Sequence, residues 1–358
     1  MISACAPRTP GARFSRRHSL AAAAVMATAL ASRHPIAAFA QTAGATSEVD
    51  GLTGLIEIGG GSIYVERRGT AGPTVVLEAG LLGRSDVWSR DLLEPEGERT
   101  MVLPGVADFT SVFTYDRPGK IGVVNPDLEP DGPLFHPSRS DPVPQPRTIQ
   151  DIVADLHALL AATRVPRPYV LVGHSLGGLC MRLYASTYPD DVVGMVLVDA
   201  THEEVWVEFE KVLSPAAWDE FEALTVENPE LLAAYPEAEQ FWRVPLLDDP
   251  SVAIMRQARA ESPLQPMPMV VLSHGIPFAA PFPEWRADEM ERVMLTLQED
   301  LAALVPNARH GIAHQSGHDI HQDQPKLVVE AIRQVVDAVR DPETWSVDAT
   351  PSSSTWPP

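Results

Sequence analysis

The sequence predicts an α/β protein built on a mostly parallel sheet with helices on both faces, and three observations carry that expectation. Short apolar runs such as "TVVLEAG" (74–80), "YVLVG" (169–173) and "VVGMVLVDA" (192–200) have the continuous hydrophobicity of strands buried on both faces. "TIQDIVADLHALLAAT" (148–163) places Ile149, Ile152, Val153, Leu156, Leu159 and Leu160 on one helical face behind Thr148, a good N-cap. Strand and helix then alternate, and crossovers of that kind join parallel strands. With 358 residues, 45% hydrophobic and 21% charged, the chain can bury the core this needs.

The first forty residues stand apart from the fold. Arg16 and Arg17 precede "AAAAVMATALAS", an apolar run too short to span a bilayer, and "AFA" (38–40) offers small residues before a cleavage point after Ala40. This resembles a twin-arginine export signal, with Ser19 where that motif usually has Phe, and predicts a periplasmic or secreted protein. Cys5 would leave with the signal, so Cys180 is alone and no intramolecular disulfide is expected. In the remainder, 22 Lys and Arg face 48 Asp and Glu, a formal charge of −26. Nucleic acid and anionic membrane surfaces are therefore excluded as partners, because binding phosphate needs clustered cations.

Residues 41–53 read as a flexible lead-in, and "GLIEIGGGSIYVERRG" (54–69) as a hairpin. "SVFTYDRPG" (111–119) is a further strand ending in a turn. Seven prolines and four acids between Val123 and Arg147 argue for an irregular excursion. A helix from Leu176 to about Tyr188 separates the next two strands. From 201 to 266 the rhythm stops, and short helical stretches carrying Trp206, Phe209, Trp218, Phe221, Tyr235, Phe241 and Trp242 predict an inserted helical cap. The sheet resumes at "PMVVLSHG" (268–275); a helix near 285–304, a last strand at "ARHGIAH" and a closing helix "PKLVVEAIRQVVDAVR" follow. The core is thus 54–200 plus 267–341, and the tail 342–358 is expected to be disordered.

Gly173-His174-Ser175-Leu176-Gly177 sits between an apolar strand and a helix, the setting a nucleophile elbow requires. The bland alternative is a tight strand-to-helix turn. Ser175 at a helix N-terminus would have free amides nearby to favour a developing negative charge. The loop after 74–78, "EAGLLGRSDVW", has Gly80 and Gly83 to turn its backbone, so Leu81 and Leu176 N–H are the expected oxyanion donors; the alternative is a plain strand-ending loop.

The order "VVLEAG", "YDRPG", "YVLVGHSLGG", "VLVDATH" and "SGHDIHQDQP" resembles the α/β-hydrolase fold superfamily, in its lipase- and esterase-like branch, over about residues 54–340. Ala79 stands where the family's loop usually has His. The resemblance implies an eight-stranded, mostly parallel sheet, a cap after the sixth strand and Ser–acid–His chemistry. It places the base after the last strand, where Ser316-Gly317-His318 matches the family pattern, with His321 the fallback. His314, His318 and His321 also have a spacing that can gather imidazoles around a metal, but Gly317 argues for a loop, and neither metal nor cofactor is expected. The loop after the seventh strand, the family's commonest place for the acid, has no carboxylate before Glu284. Asp199, at the end of the sixth strand, is the expected acid; Asp288, Glu284, Glu203 and Glu204 remain alternatives, and an Asp there can also simply cap a turn.

The expected function is a secreted serine hydrolase cleaving a small carboxylic ester or related acyl compound. Serine in the elbow excludes an aspartate nucleophile. Lactone, amide or carbon–carbon bond hydrolysis and perhydrolysis stay open on the same residues, as does a non-catalytic binding protein. The cap aromatics are either pocket lining or the cap's own core.

Overall fold

A computed structural model describes residues 51–81, 83–118, 121–123, 135–143, 147–226, 249–277 and 285–345. The export signal, Glu284, the cap residues Tyr235, Phe241 and Trp242 and the end of the tail lie outside them.

Eight strands form one sheet: β1 (Leu52–Glu57), β2 (Ser62–Arg68), β3 (Thr74–Glu78), β4 (Val112–Tyr115), β5 (Tyr169–His174), β6 (Val192–Val198), β7 (Met269–His274) and β8 (Arg309–Ala313). Their order is β1-β2-β4-β3-β5-β6-β7-β8, with β1 and β2 antiparallel and β3 onward parallel. The first strand begins at Leu52, paired with Arg67, two residues inside the expected lead-in. The central strands are mostly apolar because both faces are covered; every residue of β3, β4, β5 and β7 is buried.

One face is covered by α2 (Ile149–Thr163) and α3 (Leu176–Thr187), the other by α1 (Val102–Ala107) and α9 (Pro325–Arg340). Thr148 caps α2 as its residue type predicts: its hydroxyl accepts from Asp151 N–H while Asp151 reaches back to Thr148 N–H, a capping box. Ile149, Val153, Leu156, Leu159 and Leu160 are buried along one face, with Ile152 half-buried at its edge. Cys180, on α3, has no exposed surface.

Between β6 and β7 lie α4 (Val205–Val212), α5 (Pro215–Val226) and α6 (Pro250–Glu261); α7 (Ala287–Ala302) and the short α8 (Ile320–Asp323) flank β8. Trp206, Phe209, Trp218 and Phe221 are buried together with Trp285, whose ring meets that of Phe221 edge-on at 5.1 Å. These aromatics pack in one cluster with Met290, Met294 and Leu297 of α7. Arg182 on α3 and Glu203 after β6 form a buried ion pair at 2.7 Å, with Arg259, Asp300 and His202 extending the network to α6 and α7.

Two expectations of irregularity need correction. Within the Pro-rich excursion, Phe135–Pro137 is a short strand that pairs antiparallel with Ile121–Val123 at the excursion's start, and Ser140 and Asp141 bond the backbone of β2. Pro removes one backbone donor, but a pair of three-residue strands needs few. In the tail, Pro342–Trp345 forms a 3-10 turn, and the Arg309 guanidinium lies 3.9 Å over the Trp345 ring. Among the described residues no helix is long and apolar enough to cross a membrane.

Candidate active site

β5 runs into α3 through Ser175, which has φ 53° and ψ −125°. A non-glycine residue adopts such a backbone only when its surroundings enforce it. The enforcement is steric: a Cβ on Gly173 would fall 2.5 Å from the Gly177 carbonyl group, and one on Gly177 would fall 2.4 Å from the Glu78 carbonyl oxygen. Strand, elbow and helix can therefore approach this closely only with glycine at both places. Backbone bonds finish the elbow: Ser175 N–H donates to Val198 O, and Gly178 and Thr201 N–H both donate to Ser175 O.

The loop after β3 is held by Arg117 of the "YDRPG" turn. Buried at 3% exposure, Arg117 pairs with Glu78 and donates to the carbonyls of Ala79 (2.7 Å), Gly80 and Leu81 (3.4 Å). Tyr115 donates to the other Glu78 oxygen. One planar guanidinium thus fixes three successive carbonyls, a task its fork of donors suits. Gly80 packs against the elbow, where a Cβ would stand 2.9 Å from His174 Nδ1 and 3.3 Å from Ser175 Cβ.

Asp199 ends β6 with φ 41°, its N–H donating to Leu272 O on β7. Its carboxylate is fully buried, and His318 Nδ1 lies 2.6 Å from Oδ2. Among the alternatives, Asp288 is 85% exposed and faces Arg292, Glu203 pairs with Arg182, and Glu204 pairs with Arg256. The structure brings Asp199 and His318 together and places these three elsewhere.

The loop carrying His318 is braced from both ends. Gly275 and Ile276 N–H donate to Ser316 O, and Asp323 accepts from Ser316 Oγ and Gly317 N–H. Gln322 Nε2 donates to the carbonyls of Val87 and Arg90, tying the loop to the segment after Leu81. His174, next to Ser175 in the chain, donates from Nε2 to the His318 carbonyl at 3.0 Å, and the two rings lie 4.6 Å apart. His321 packs between His174 and Trp88, with its Nδ1 buried and unpaired.

The electrostatics separate these imidazoles into two kinds. Burial and the nearby His318 hold His174 down at about 3, and burial does the same to His321. Burial also opposes a charge on His318, but the bond from Nδ1 and the charge of Asp199 outweigh it and raise its pKa. Asp199 is likewise opposed by burial and overcompensated by bonds from His274 and His318, which hold it well below the carboxylate range.

His274 was not anticipated. It ends β7, and both its backbone N–H (3.1 Å) and its Nδ1 (2.8 Å and 2.9 Å) meet the Asp199 carboxylate. Its Nε2 lies 3.2 Å from Glu291 on α7. The signal in the sequence was a polar residue closing the otherwise apolar "MVVL" run. Among the described residues, His174, Asp319 and His321 offer ligand atoms within 4.8 Å of one another, a spacing a cation can share, although His174 Nε2 is already engaged with the His318 carbonyl.

A hydrolase class is what this sheet, elbow and Asp–His pair define together. The chain belongs to the alpha/beta hydrolase family, whose sequence model matches residues 75–331. It is 27% identical over 276 residues to the uncharacterized protein YqjL of Bacillus subtilis (strain 168), covering 75% of this chain and 85% of YqjL. Among solved structures, wild-type Cfl2 from Burkholderia cenocepacia matches with a TM-score of 0.52 at 19% identity, over 82% of this chain and all of Cfl2. The haloalkane dehalogenase DatA from Agrobacterium tumefaciens C58 also gives 0.52, at 14% identity, over 81% of this chain and 98% of DatA. Both likenesses are of fold.

Proposed function

We propose that the chain is an exported serine hydrolase that cleaves a carboxylic ester or related acyl compound through Ser175, His318 and Asp199. The observation that carries this is the 2.6 Å contact of His318 Nδ1 with a buried Asp199, beside a serine in a strained elbow.

In this reading His318 takes the Ser175 hydroxyl proton as the oxygen attacks the carbonyl carbon. Asp199 accepts the Nδ1–H bond, fixing the tautomer and stabilising the imidazolium that forms. Leu176 N–H, first in α3, and Leu81 N–H, in the loop held by Arg117, stabilise the oxyanion. His318 returns its proton to the departing alkoxide, and water repeats the sequence on the acyl-enzyme. Lactones and amides would use the same groups and differ in what leaves, so a graded panel of esters, lactones and amides ranks them.

The test is covalent labelling. A fluorophosphonate probe is expected to modify Ser175 in the mature protein, and short p-nitrophenyl esters to be hydrolysed; Ser175→Ala should abolish both. No labelling and no turnover by folded wild type would refute a serine hydrolase and leave a binding protein. Export after the Arg16–Arg17 signal is supported by the sequence pattern, and N-terminal sequencing of the secreted product should begin at Gln41.

A further inference from the structure

Asp199 serves two imidazoles, and only His318 has a place in the chemistry above. His274 meets a carboxylate on each side: Asp199 at Nδ1, 2.8 Å, and Glu291 at Nε2, 3.2 Å. An ionised carboxylate accepts and does not donate, so satisfying both contacts with ionised Asp199 and Glu291 requires a proton on both ring nitrogens. Among the described residues, the charged groups facing His274 include Asp199 from β6, Glu291 from α7 and, across the shared carboxylate, His318 from the loop after β8. Two anions surrounding one cation give a combination that a buried site can hold.

We propose that His274 is a positioning residue for the relay, held as an imidazolium between Asp199 and Glu291, where it fixes the Asp199 carboxylate and offsets the negative charge that His318 feels. This rests on the serine hydrolase reading. Three contacts from His274 lock the carboxylate, so that Oδ2 stays aimed at His318 Nδ1. An uncompensated buried aspartate would hold His318 protonated to higher pH, where it cannot accept the serine proton. The hydrogen-bonding geometry has an electrostatic counterpart: against the cost of burial, the bonds to Asp199 and Glu291 raise His274 to about 10.

The direct test is nitrogen-15 NMR of the histidine rings in the folded Ser175→Ala protein. Both His274 nitrogens are expected to be protonated at pH 7 and to remain so to about pH 9, and Glu291→Gln in that background should lower the pH at which the second proton is lost. In active enzyme, His274→Gln keeps a donor but removes the charge. The acid limb of its kcat/KM profile should move upward by about one pH unit. A singly protonated His274 at pH 7 would overturn the proposal. So would a His274→Gln enzyme that loses activity with its acid limb unmoved, because that is the mark of a merely structural role. If His274→Gln does not fold, the NMR comparison decides alone. Absence of Ser175 labelling in wild type would instead overturn the hydrolase reading beneath it, whatever the state of His274.

Discussion

At the scale of single residues, Asp199 and His318 give the sharpest expectations. Asp199→Asn keeps the shape but offers an amide donor to His318, favouring the wrong tautomer, so turnover should fall by about 10^4 in protein that fluorescence shows to be folded, with a lowered melting temperature because His274 loses its buried counter-ion. The same amide would face His274, so melts of the variant belong beside its kinetics. Because His318 is raised above the ordinary imidazole value of 6.5 by its bond to Asp199, its base form is lost as pH falls through that raised value. The acid limb of kcat/KM is therefore expected above pH 6.5; a limb well below it would mean that another group is the base. The proposed nucleophile and base, Ser175 and His318, stand out in the sequence because their signals are local: glycines at fixed offsets and a histidine after a small-residue pair. Which of five carboxylates meets His318 stayed open because the contact depends on how β6 meets a loop 119 residues away. Arg117 was quoted as part of a turn motif, but its grip on three carbonyls of another segment could be seen only once β3 and β4 lay side by side.

At the scale of elements, the site depends on how α3 is joined to the segment after β6. The buried Arg182–Glu203 pair makes that joint, since Arg182 lies about two turns along α3 and Glu203 four residues beyond Asp199. Removing one partner of such a pair strands the other charge without solvent. Glu203→Gln should therefore destabilise the protein by about 3 kcal/mol, read from denaturant melts, with little change in the identity of the labelled serine. Helices and central strands were readable from period and cap, as Thr148 and Asp151 illustrate. The short strand pair Ile121–Val123 and Phe135–Pro137 was not, because three-residue strands carry too little pattern and pair with each other across an 11-residue separation.

At the scale of the whole molecule, pH acts on stability through the buried imidazoles. A group raised on folding contributes stability that is fully present below its unfolded value and is lost as pH rises through its folded value. For His274 that window runs from 6.5 to about 10, and His318, raised in the same direction, adds to it. The melting temperature is expected to fall as pH rises from 7 to 10. Glu291→Gln should melt below wild type near neutrality, with the gap narrowing toward pH 10, and a pH-independent gap would argue that Glu291 acts only through packing. The doubly wound architecture itself was legible from the alternation of apolar runs and amphipathic helices, because that pattern follows from burying a sheet on both faces.

Cys180 is buried in the cluster that α2 and α3 form against the sheet, with no surface open to water. With Cys5 removed by export, it would be the sole thiol of the mature chain, and a thiol-reactive dye could find it only when α3 leaves the sheet. The protein thus carries its own clock: the rate of dye uptake under native conditions counts the openings of the region that holds Ser175.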